Sequence, residues 1–216
     1  MSILDPQLLR RELLLAQAID NQLDGLVAQA TFTMLILGPK TSLEESQLRN
    51  LLNVAVRYPQ VEVIANFIRY QIGRKERDWG VKPGDFGHAV ISDLYGKVHD
   101  LAVVAITEVK LKLTEFAEQE QAELASKSLD QQVKAQQLEQ IQSQLKHDLA
   151  AADQLTPRAY AKLIPLYLGY LSRSFYFYKK MQDKSDKERD PAYQQEALKL
   201  LQQVAKNQQK EVKDAR

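Results

Sequence analysis

Leu8, Leu9, Leu13, Ala16, Leu23, Leu26, Val27 and Ala30 recur at steps of three and four residues, the spacing that lines one face of an α-helix. Pro6 sits where a first helical residue tolerates proline, so the pattern predicts one long first helix running to Gly38-Pro39. Ser42 with Glu45 three residues on reads as a capping box that opens a second helix, whose core side is Leu48, Leu51, Leu52, Ala55 and Val56. Tyr58-Pro59 ends it, because the residue before a proline is pushed out of the helical region. Val61, Ile64, Ala65, Ile68 and Ile72 give a third helix, Gln60 to Arg74, its apolar face. From Arg74 to Gly84 periodicity disappears and Gly80, Pro83 and Gly84 mark a charged loop.

Beyond Asp85 almost nothing interrupts helix as far as Leu149. Phe86, Val90, Leu94, Leu101 and Ala105 form a seam that Ile91, Val98 and Ala102 widen, as expected of a central helix buried on most sides. After Phe116 the chain becomes glutamine-rich, with sparse apolar residues at Leu124, Val133, Leu138, Ile141, Leu145 and Leu149. This stretch is either an antiparallel hairpin broken near Ser126 to Ser128 or a single projecting arm. Thr156-Pro157 opens another helix, expected to kink at Pro165 and to end near Lys184. A polar last helix spans Pro191 to about Lys213. The expected fold class is all-α: a helical bundle with a long central helix and a Gln-rich helical arm or hairpin. It is read as one domain, 1–216, in three consecutive stretches, 1–80, 81–155 and 156–216.

Composition narrows the function more than the fold. With 216 residues, 44% of them hydrophobic, the chain can bury a sizeable core. Its 29 basic and 28 acidic side chains nearly cancel, so any electrostatic function is local. Absence of cysteine removes disulfides, thiolate metal sites and cysteine nucleophiles. Asp5, Glu12, Asp20 and Asp24 interrupt the first residues, which argues against an export leader. The longest uncharged stretch, Gly25 to Pro39, falls short of the ~20 apolar residues of a membrane span. A soluble cytoplasmic protein with no membrane partner is the expectation.

Catalytic motifs are missing from the pattern. His88, Ser92, Tyr95 and His99 would share one side of a regular helix, but the two histidines would stand roughly 16 Å apart, too far to share an ion. No phosphate loop, dinucleotide fingerprint, zinc-protease pair or nucleophile elbow occurs. The expectation is therefore no enzyme, no catalytic residue, no metal and no cofactor.

Charge, by contrast, is sorted. Residues 40–82 hold eight basic against five acidic side chains, with Arg49, Asn53 and Arg57 four apart on one ridge and Arg69, Tyr70 and Arg74 leading into Lys75, Arg77, Trp79 and Lys82. Residues 158–184 hold six basic side chains against one acid and seven of the chain's sixteen aromatics. Here Arg173, Lys179 and Lys180 flank the consecutive Phe175, Tyr176, Phe177 and Tyr178. Between these segments, residues 108–153 carry five lysines against nine acids. Guanidinium and ammonium donors beside flat rings are what phosphate contact and base stacking require. The competing reading is an ordinary solvated face with Tyr70 and Trp79 tucked into the core.

The stretches "SQLRNLL" and "FIRYQIGR" resemble the helical small (Csm-type) subunit of type III CRISPR RNA-guided effector complexes, whose sequences carry a Gln-Leu-Arg helix and a Tyr-x-x-Gly-Arg helix end, here Tyr70 to Arg74. The aromatic "SRSFYFYKKM" is similar to that family's last helix. The resemblance implies a noncatalytic, antiviral-defence subunit that stacks in copies, contacts other subunits and lines the channel over guide and target RNA. Arg49, Arg69 and Arg74 would inherit the RNA-facing role. The alternative is a coiled-coil adaptor or scaffold that binds a protein partner through the acidic Gln-rich arm.

Overall fold

The computed structural model describes residues 6–38, 41–74, 78–80, 82, 84–182 and 190–214. Among them there is helix and no strand: α1 Pro6–Asn21, α2 Leu23–Met34, α3 Glu45–Arg57, α4 Val61–Gly73, α5 Phe86–Asp93, a π-helical turn Leu94–Val98, α6 His99–Ser126, α7 Gln131–Asp153, α8 Thr156–Gln182 and α9 Pro191–Asp214. The all-α class read from the sequence is what the chain adopts. No helix among the described residues is long and apolar enough to cross a membrane.

Contacts divide the chain into two compact units, one of residues 1–22 and 101–160, the other of residues 23–100 and 161–216. The three consecutive stretches of the sequence reading therefore do not coincide with compact units. In the first unit α1 lies along an α6–α7 hairpin. The hairpin is antiparallel, since Lys134 donates to the Ala125 carbonyl at 3.1 Å near the turn while Lys110 pairs with Asp153 at the far end. Asp130 caps α7 by accepting from the Gln132 amide at 2.8 Å, which settles the hairpin over the projecting arm. Ala105, Val109, Leu113 and Ala117 make α6's buried stripe. α1 fixes itself with Arg10 stacked 3.9 Å over the Phe116 ring and with the largely buried pair Arg11–Asp148 at 3.4 Å.

The single long first helix expected from the pattern is in fact two. Gln22 forms a turn, its amide bonding to the Ile19 carbonyl at 3.0 Å, and its buried side chain donates to Glu108 at 2.6 Å. The break falls at Gln22, three residues before Gly25, where the tertiary hydrogen bond to Glu108 holds the turn.

In the second unit the expected start of α3 also moves. Glu44, not Ser42, occupies the cap, its amide donating to Gln47 Oε1 at 3.0 Å. Ser42 instead gives its amide to Asp78 Oδ2 at 2.6 Å, and its hydroxyl as well, tying the segment before α3 to the loop after α4. Val56, expected in the core, is 67% exposed, because Leu48, Leu51 and Ala55 already fill α3's buried face. α8 runs through Pro165, where the sequence predicts a kink, and ends at Gln182.

The centre of this unit holds a polar cluster. Asp93, at the end of α5, accepts from Gln29 Nε2 at 2.9 Å, from the Thr33 hydroxyl, and from the Tyr167 hydroxyl at 2.5 Å, so α2, α5 and α8 meet on one buried carboxylate. Burial raises the Asp93 pKa, opposed by the three hydrogen bonds. Burial and the adjoining carboxylate push the Tyr167 phenol well above its ordinary value. Because the folded-state pKa of Asp93 lies above the unfolded one, its stabilising share is complete below about pH 4 and declines as pH rises through the raised value. Thermal melts across that window should show the advantage of wild type over Asp93→Asn shrinking with rising pH. Tyr167→Phe should lose about 1–3 kcal/mol, since one hydrogen bond to a buried charge disappears.

Candidate functional site

Helix α3 displays Arg49, Asn53 and Arg57 on its exposed side, as the spacing predicts, while Leu48, Leu51 and Ala55 anchor the opposite face. Across from it, α8 presents Ser172, Arg173 and Tyr176. Together with Glu45, these residues and Arg49 line an open groove of about 280 Å³. Two charged segments more than a hundred residues apart in sequence thereby form one surface. Tyr176 is 50% exposed, with the Lys180 ammonium 5.7 Å from its ring centroid. The Arg173 guanidinium lies 5.2 Å from the Tyr170 ring. Such cation–π contacts hold long side chains near flat rings without neutralising them.

α8 is held in place on both sides of the groove. Thr31 and Ser174 hydroxyls meet at 3.1 Å, and the Lys179 ammonium donates to the Leu43 carbonyl at 2.6 Å while lying 5.4 Å from the Phe175 ring. Lys179, read from the sequence as an RNA contact, is thus a strut that joins α8 to the segment leading into α3.

On α4, Tyr70 is 58% exposed and the Arg74 guanidinium lies 5.6 Å over its ring. Arg69 pairs with Glu62 at 3.3 Å, and the Tyr95 hydroxyl donates to the same carboxylate. Those two bonds, Tyr95 first, lower the Glu62 pKa, and Tyr95 and Glu62 in turn raise that of Arg69. Lys82 is exposed, its amide donating to Asp85 at 2.8 Å. Lys75 and Arg77 lie outside the described residues.

Trp79 is the correction among the aromatic candidates. Its ring is wholly buried, tilted 49° against Phe86 at 5.6 Å between centroids, and no base can reach it. The loop is built to place it there. Gly87 donates to the Trp79 carbonyl at 2.9 Å, and a Cβ on Gly87 would stand 2.7 Å from that oxygen. Gly80, next along, has φ +83°, where a side chain is strained.

The four residues aligned by the sequence reading, His88, Ser92, Tyr95 and His99, are not on one regular face. The π turn Leu94–Val98 adds a residue between them and rotates His99 by about 100° relative to a plain α-helix. Tyr95 is engaged with Glu62. Among the described residues no group of three or more His, Asp or Glu side chains could hold a metal ion.

The sequence reading missed Glu45, Ser172 and Tyr176 as groove residues, although Arg173, Tyr176 and Lys180 at three- and four-residue steps were the available signal. It also read α9 as polar on most sides. On its one apolar side, Tyr193, Ala197, Leu200 and Val204 line a groove of about 430 Å³ with Phe177 of α8. No family model, curated protein or solved structure matches the chain.

Because Trp79 is a core ring, Trp79→Ala should lower stability by about 3–5 kcal/mol in a denaturant melt. Tyr70→Ala, on an exposed ring, should leave the melt within about 0.5 kcal/mol of wild type.

Proposed function

We propose that this protein is a noncatalytic RNA-binding structural subunit of a type III CRISPR effector ribonucleoprotein, one that lines the channel for guide and target RNA and bridges neighbouring subunits, including further copies of itself. The observation that carries the RNA-binding part is the groove where Arg49 of α3 meets Arg173 and Tyr176 of α8. Guanidinium forks suit phosphate oxygens, and an exposed ring suits a base. The assignment to that class of complex rests on the resemblance of the Ser46–Leu52 and Phe67–Arg74 stretches. Arg57, Arg74 and Lys180 are further basic side chains of the same unit.

One observation favours a second reading, an adaptor working through the hairpin. α7 buries only Ala152, leaving Val133 and Leu138 exposed among glutamines, as a helix awaiting a protein partner would. Titration with RNA separates the two.

Fluorescence anisotropy with a single-stranded RNA, repeated over a range of salt, gives the decisive slope. Removing one phosphate-binding arginine, as in Arg49→Ala or Arg57→Ala, should reduce the slope of log affinity against log salt by roughly 0.7 without altering sequence preference. A double variant that keeps the wild-type slope would show that these arginines are only solvated surface. Purified protein should leave the RNA uncut, whereas cleavage that vanishes in His88→Ala or His99→Ala would overturn the noncatalytic part.

A further inference from the structure

The groove between α3 and α8 contains a residue that phosphate binding does not explain. Glu45 lines it alongside Arg49, Ser172, Arg173 and Tyr176. A carboxylate repels phosphate and accepts hydrogen bonds without donating any. Its presence in one groove with two guanidinium groups and an exposed ring fits a ligand that offers an anion, a flat base and a hydroxyl donor within a small space. A ribonucleotide offers all three, and its 2′-hydroxyl is the group a deoxyribonucleotide lacks. The groove's volume of about 280 Å³ lies near the low end of pockets that hold small molecules, roughly 300–1,000 Å³, which suits one nucleotide and not a duplex. Tyr176 has the Lys180 ammonium near its ring, a contact that a base stacked on the ring's other face would leave in place.

We infer that this groove is a single-nucleotide subsite selective for RNA over DNA. Arg49 and Arg173 hold the phosphate, the base stacks on Tyr176, and the Glu45 carboxylate accepts from the ribose 2′-hydroxyl, with the Ser172 hydroxyl beside it. The inference rests on the RNA-binding reading above and adds to it which residue recognises the sugar. The bland account of Glu45 is an ordinary acid one turn before Arg49 on α3, and the two accounts differ in what removal of the carboxylate does.

The test uses the full chain and two labelled probes of equal length, an oligouridylate and an oligodeoxyuridylate, which differ only at the 2′ position. Wild type should bind the ribose form about tenfold more tightly, the scale of one hydrogen bond to a charged group. Glu45→Ala should bring the two affinities together. Tyr176→Ala should weaken both by about tenfold or more with an unchanged salt slope. If wild type binds RNA and Arg57→Ala lowers the salt slope while Tyr176→Ala binds like wild type, the subsite is wrong and the RNA-binding reading stands. A ribose preference that survives Glu45→Ala overturns the sugar-reading role in the same way. If wild type binds neither probe, both readings fall.

Discussion

A buried carboxylate organises the larger unit. Asp93 sits in the interior, its Oδ1 accepting from Gln29 of α2 and its Oδ2 from both Thr33 of α2 and Tyr167 of α8. An ionised carboxylate without partners would be prohibitive there, so its presence demands that all three donors arrive together. That requirement fixes more than a local contact. Sliding α8 along α2 by one residue would turn Tyr167 away and strand the carboxylate, so the hydrogen bonds set a register that apolar packing alone leaves loose. On α8 the Thr31–Ser174 contact lies two turns beyond Tyr167, and Lys179 reaches the Leu43 carbonyl further on. Ser172, Arg173 and Tyr176 are carried on the stretch of α8 between these fixings. Their meeting with Arg49 across the groove is a consequence of the register, and of the short link from Leu43 into α3.

Immediately after Asp93 the helix widens. Phe86, Val90, Leu94 and Val98 are all 2% exposed or less and stand four residues apart. In an ideal α-helix each such step drifts by about 40°, so the stripe would wander ~120° and carry Val98 toward solvent. The π turn Leu94–Val98 holds one residue more than an α-turn and returns most of that drift. The core therefore receives all four side chains, and Asp93 keeps its place beside them. Tyr95 emerges from the same turn to meet Glu62, which also holds Arg69.

Most helices were legible because their signals are local. The Tyr58-Pro59 stop, the Gln60 start and the long runs in α6 and α8 follow from three- and four-residue spacing and from proline geometry alone. What escaped depends on contacts between distant residues. Gln22 sits at the break in the first helix with its side chain bonded to Glu108, a contact that local spacing does not show. Ser42 looked like a cap because its spacing to Glu45 is right, yet Asp78 claims it. The uninterrupted four-residue steps around Leu94 did carry the π turn in plain view, but a run of apolar residues reads as a wider stripe unless the drift is followed. In the candidate site, the α3 ridge was visible from its spacing. That Arg49 of this ridge meets α8 was not, since the meeting depends on a contact between distant residues, Lys179 of α8 with the Leu43 carbonyl ahead of α3.

Counting charges along the sequence misjudges such a surface in a systematic way. Arg69 has Glu62, Arg158 has Glu12 and Lys179 has a backbone carbonyl, so several cations in the basic segments serve the fold. Exposed ion pairs of this kind contribute little stability each, but they neutralise the field a polyanion would feel. What distinguishes the α3–α8 groove is the convergence of groups, not the net charge of the segments that supply them. Two guanidinium groups from different helices line one small space, and the field there is stronger than the same charges would give spread along one helix. A ring and an acceptor in that space add directional requirements that a diffuse basic face lacks. The buried Asp93 that sets the register of α8 thereby acts on the α3–α8 groove without touching it.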